Sequence, residues 1–139
     1  MTNGAVLAVE IGLRLIVPGH DEVPLTAVAL YRASDPYAIE MALDTGQAEP
    51  VRWMFARDLL ADGLQNHAGD GDVRFWPSTG RSPGVLNISL SSPDGQAHLQ
   101  APLTAIISFL DRTFEAVPPG DEGGHIDIQN ELNALLGIP

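Results

Sequence analysis

Cysteine is absent from the 139 residues, and with it go disulfide staples, thiolate catalysis and cysteine-ligated zinc. A reducing cytoplasm is the expected home. Lysine is absent too, since all seven basic residues are arginines, and this removes Schiff-base chemistry and the lysine of a phosphate-binding P-loop. No long apolar run occurs either. The most apolar stretch, "AVLAVEIGLRLIV" at residues 5 to 17, is broken by Glu10 and Arg14 and is too short to span a bilayer as a helix. Neither a basic n-region nor a cleavage site precedes it, so a secretory leader is not expected.

Positive charge is the next scarcity. Eighteen acidic residues against seven arginines leave a formal charge of −11. Sequence-independent binding to nucleic acid draws most of its free energy from neutralising phosphates, so this composition argues against nucleic acid as a partner. It argues equally against direct attachment to anionic lipid. Two stretches pull the other way: "VRWMFAR" at 51 to 57 and "DVRFWPS" at 72 to 78 place aromatic rings beside arginines, as single-strand binders do. The alternative is ordinary strand packing.

Alternation settles the direction for the first of these. Val51, Trp53 and Phe55 are two apart and share one face of a strand. Upstream, Leu7 to Val17 alternates cleanly, residues 25 to 33 form a second strand, and Tyr37, Ile39, Met41 and Leu43 supply the buried face of a third. After Phe55 the period lengthens, and "ARDLLADGL" reads as a short helix weakened by Gly63. Strands follow at 72–77, 84–91 and 96–101, the last two joined by the tight-turn residues Pro93, Asp94 and Gly95. A helix opening at Pro102 carries Leu103, Ile106, Ile107, Leu110 and Phe114 as its apolar face, and a last helix is expected after Asp127. The expectation is one α+β domain over residues 1–139, an antiparallel sheet or barrel with packed helices, in the order ββββ-α-βββ-α-α.

Chemistry-bearing clusters are sparse. His20, Asp21 and Glu22, and Glu122 with His125, are metal-type ligands in turns, without the helical spacing that preorganises a site. "GDGD" at 69 to 72 resembles the start of a calcium loop but has no downstream glutamate. No serine occupies a nucleophile elbow, and His98 reads as a surface or rim residue rather than a base. Asp58 and Asp62 lie one helical turn apart, which on an exposed helix is mild repulsion. Asn87 begins an N-x-S sequon in mid-strand, where glycosylation is not expected. No enzyme constellation stands out, and no metal or cofactor is expected.

The ordered string "DPYA" (35 to 38), "FARDLLADGL" (55 to 64), "GDVRFWPS" (71 to 78), "LSSPDG" (90 to 95), "FLDRT" (109 to 113) and "VPPG" (117 to 120) resembles the SsgA-like proteins of sporulating actinomycetes. The resemblance spans nearly the whole chain. It implies a non-enzymatic role in sporulation-specific cell division, helping to place and recruit the tubulin-like ring protein FtsZ at septa. It also implies a Whirly-like fold, a homotrimer, cytoplasmic localisation with recruitment to division septa, and possible further partners in an SsgA-like paralogue or a membrane protein. Whirly proteins bind single strands, which keeps single-stranded nucleic-acid binding as the alternative; their binding motif contains lysine, which this chain lacks.

For a protein-binding surface the sequence offers ranked candidates. Trp53, Phe55, Leu60 and Leu64 are expected inside, which leaves Arg57 and Asp58 facing solvent or a neighbouring subunit. Asp121 and Glu122 in the acidic loop, and Glu131 on the final helix, are the other candidates, because loops and terminal helices commonly carry contacts.

Overall fold

The computed structural model describes residues 6–78, 80 and 84–125. Four strands come first: β1 (Val6–Ile16), β2 (Val23–Arg32), β3 (Asp35–Asp44) and β4 (Val51–Ala56). Helix α1 (Arg57–Gly63) leads into β5 (Val73–Ser78), β6 (Val85–Ser92) and β7 (Gly95–Pro102); α2 (Leu103–Ala116) and a 3₁₀ turn (Glu122–His125) follow. The helix expected after Asp127 lies outside the described residues.

All seven strands join one antiparallel sheet in the order β4-β3-β2-β1-β7-β6-β5. The first four form a meander, the last three form another, and the seam is a short pairing of Arg14–Ile16 with His98–Gln100. Laid flat, seven strands would hold the two edges about 29 Å apart. The rings of Phe55 on β4 and Phe75 on β5 are instead 5.0 Å apart, edge to face. The sheet therefore curls until its edges approach, although β4 and β5 exchange no ladder bonds among the described residues.

The curl wraps one core. Ile11, Leu13, Ile39, Phe55, Phe75 and Leu99 point inward, and both helices pack on this same side: α1 against β3, β4 and β5, α2 against β1, β6 and β7. Gly63, the last residue of α1, has no room for a side chain; a Cβ there would overlap that of Phe75. What looked like a weak point of the helix is the place where helix and strand touch.

Three expectations need correction. Tyr37 is 51% exposed, so the inward face of β3 begins at Ile39; Tyr37 lies near the end of the strand, past the reach of the core. Val51, at the free end of β4, is exposed for the same reason. On α2, Ile107 is 43% exposed, while Phe109, unassigned by the pattern, is buried with Ile106, Leu110, Thr113 and Val117. The offsets of 3, 4, 7 and 11 hold, but they start at Ile106 rather than Leu103. The physical cause is the entry: Pro102 still pairs with Val85 as part of β7, and the Leu103 amide donates to Gly84 O at 3.1 Å, so the strand's exit sets the helix phase.

Candidate functional site

β4 delivers Phe55 to the core and Ala56 to the surface, and the turn into α1 then swings Arg57 inward. Arg57 is 1% exposed and is the largest fully buried side chain among the described residues. Its Nη1 donates to Thr113 O at 3.1 Å and to Val117 O at 2.8 Å. Its Nη2 donates to Glu122 Oε2 at 2.9 Å, and its Cζ sits 4.5 Å above the Phe114 ring and 5.1 Å from the Tyr31 ring. A planar fork with five donors is the one side chain that can serve two carbonyls and a carboxylate together while its face rests on aromatics.

This arginine closes α2. The last turn of that helix has no basic residue, and its end has no glycine to fold back on its carbonyls. A cation placed there meets the negative end of the helix dipole. It comes from 56 residues upstream. Glu122 completes the closure: its other oxygen accepts from the Gly120 amide at 2.9 Å, which folds the loop after Pro119 back beneath α2. The Glu122 carboxyl is held below the usual range, first by its own backbone N–H, then by the hydrogen bond from Arg57, with the Gly120 amide adding to both. Tyr31 is pushed up by burial, with Arg57 opposing, and its hydroxyl donates to Pro36 O at 2.9 Å.

Of the residues singled out from sequence, Arg57 and Glu122 are thus brought together, but inside. The reading of Arg57 as solvent-facing, and of Glu122 as part of an open acidic loop, is corrected: a charge can be buried when every polar neighbour is an opposite charge or an acceptor. Asp58 and Asp121 are exposed, and Glu131 lies outside the described residues. Of the residues expected inside, Phe55 and Leu60 are buried, while Trp53 and Leu64 are half-buried against the core. His20, Asp21 and Glu22 line a shallow open depression with Arg14, which pairs with Glu22 at 3.0 Å. No group of three metal-ligating side chains is assembled among the described residues.

A second cluster occupies the other face of the sheet. Phe75 points in, so Trp76 points out, and its ring is stacked between His67 at 5.4 Å and His98 at 5.5 Å. His67 reaches it because Ala68 bridges Phe75 along the outer edge of β5. Beneath them lies Asn87, only 2% exposed. Its Nδ2 donates to Trp76 O at 3.2 Å and Ser78 Oγ at 2.9 Å; its Oδ1 accepts from Gln100 Nε2 at 3.0 Å and lies 2.8 Å from His98 Nε2. Because Oδ1 can only accept, His98 Nε2 is the protonated nitrogen in that contact. Sequence reasoning missed this cluster. Its members come from three strands and a loop, and only the register shows them adjacent.

Three of the motif strings meet in space, since Arg57 of "FARDLL" holds Thr113 of "FLDRT", Val117 of "VPPG" and the glutamate beyond it. The family model described as Streptomyces sporulation and cell division protein, SsgA, matches residues 25–122, a span that contains all of these residues. The chain belongs to the SsgA family. Within it the string looks most like the SsgB branch, and relatives carry that name. The chain is 50% identical over 127 residues to the sporulation-specific cell division protein SsgB of Streptomyces coelicolor, covering 91% of this chain and 93% of that one. It is 47% identical over 131 residues to SsgB of Thermobifida fusca, covering 94% and 95%. A solved structure of an SsgA-like sporulation-specific cell division protein from Thermobifida fusca superposes with a TM-score of 0.87 at 46% identity, over 96% of this chain and 98% of that one. Another, solved in connection with SsgB mutations that correlate with longitudinal cell division in sporulating Streptomyces coelicolor, gives 0.85 at 47% identity over 91% and 99%.

Proposed function

We propose that this SsgA-family chain is a non-enzymatic adaptor of sporulation-specific cell division, which positions or recruits the FtsZ ring at septum sites. The observation that carries the reading is the 50% identity with Streptomyces coelicolor SsgB along nearly the full length of both chains. Two features agree with it. Both terminal nitrogens of its buried guanidinium are engaged by its own chain, as expected of a scaffold rather than a reaction site. And no helix among the described residues is long and apolar enough to cross a membrane, so septal recruitment would run through protein contacts. Under this reading the fold is of the Whirly type, three copies associate, and an SsgA-like paralogue or a membrane protein assists localisation. Repetition of a weak contact in a trimer raises avidity without new contacts. Asp58 and Asp121 remain its exposed candidates for partner contact. Co-sedimentation with FtsZ polymers at physiological salt tests the proposal: enrichment in the pellet is expected, and its absence, alone or with a membrane partner, rules out direct recruitment.

A further inference from the structure

We propose that the outward face of β5, β6 and β7 docks an acidic segment of a protein partner. The chain has eighteen carboxylate side chains, yet "VRFWPS", "VLNISLSS" and "GQAHLQAP" contain none. What the outward positions carry instead is arginine, histidine, tryptophan, amides and hydroxyls. The register lines up Trp76, Asn87, Gln100 and Arg14 in one row across four strands, about 14 Å long at ordinary strand spacing. The adjoining row begins at Arg74, exposed, whose Nε is tied to Gly71 O at 3.2 Å. In a molecule of charge −11, three adjacent strands without a carboxylate present Arg74 to an incoming acidic group, with Arg14, paired to Glu22, at the far end of the row.

The surface is also built. Asn87 has both its amide atoms engaged, which fixes Trp76, Gln100 and His98 relative to one another before anything binds. A half-buried tryptophan braced by two imidazoles is the type of anchor that dominates an interface. Among the described residues Arg14 is held by an exposed pair with Glu22, a weak surface interaction that an incoming carboxylate can replace. Among the described residues, α1 and α2 both lie on the opposite side of the sheet. A nucleic-acid strand suits the face less well, because it brings a phosphate with each nucleotide to a strongly acidic protein that offers two arginines here. A protein segment with two or three carboxylates and an apolar residue matches what is present.

The inference rests on the adaptor reading for its need of a partner, and the test separates the two. In a Trp53→Phe chain, Trp76 is the sole indole, and its emission is followed while a peptide of alternating aspartate and leucine is added. A saturable change is expected, none with the asparagine counterpart, and about tenfold weaker binding in Arg74→Glu, an exposed change that leaves the fold intact. No response to the aspartate peptide, an equal response to both peptides, or tighter binding of oligothymidylate overturns the inference. FtsZ pelleting is run in parallel on the full chain. Pelleting lost in Arg74→Glu supports the docking face; pelleting unchanged by it overturns the face and leaves the adaptor reading standing. Peptide binding without any pelleting sinks the adaptor reading alone.

Discussion

Arg57 carries a cost and a benefit that can be separated by substitution. Removing it takes one of two hydrogen-bond donors from the Thr113 carbonyl, a donor from the Val117 carbonyl and the ion-pair partner from the Glu122 carboxylate, in a largely buried site. Arg57→Ala is therefore expected to lower unfolding stability by about 3 kcal/mol in urea titration. Arg57→Lys should recover only part of this, since one ammonium cannot reach three acceptors along a fork geometry. Glu122 makes the same node sensitive to acid. Its folded carboxyl titrates below the ordinary 4.5, so it favours the folded state above that value and loses the contribution as pH falls through the folded value. Glu122→Gln should accordingly be less stable than the parent at neutral pH, with the gap closing in acid. A gap that is constant from pH 7 to pH 3 would show that the carboxylate charge is not what holds the loop.

At the scale of elements, alternation did most of what the sequence could do. Strands with one buried face, such as Leu7 to Leu15 or Trp53 and Phe55, declare themselves because their period is two and every second residue is apolar. The charged node did not, since an arginine after a strand reads as solvent-exposed unless its acceptors, more than fifty residues away, are known to be near. The Trp76 cluster stayed hidden for a related reason: adjacency across β5, β6 and β7 is a matter of pairing, which a single chain of letters does not display. The helix α2 was found with its phase shifted, because period alone does not say where the preceding strand lets go. Gly63 offers a direct check of the α1 packing. Gly63→Ala improves helix propensity, yet the added methyl must push into Phe75, so a net loss of about 1–3 kcal/mol is expected in thermal or chemical denaturation. A stabilised variant would mean that α1 can lift from β5 freely.

For the whole molecule, the two edges of the curled sheet are treated differently. β5 is bordered by Ala68, which exchanges both backbone hydrogen bonds with Phe75, at 2.8 and 3.0 Å, whereas β4 shows no such bridge among the described residues. The fold thus has a closed side and a side that its own described chain leaves open, with α1 lying between them on the core face. The family assignment fits this economy: the same "FARDLL" segment that forms the open edge's end also supplies the arginine that fastens α2.

That fastening spans 56, 60 and 65 residues of chain. Its hydrogen bonds need β4, α1 and the end of α2 already in place and the guanidinium desolvated, so they are expected after the folding barrier rather than on it. The Arg57 node then acts as a brake on leaving the native state, with little influence on reaching it. In a chevron plot Arg57→Ala should raise the unfolding limb and leave the refolding limb nearly where it was. The mutation would shorten the lifetime of the folded protein without slowing its birth.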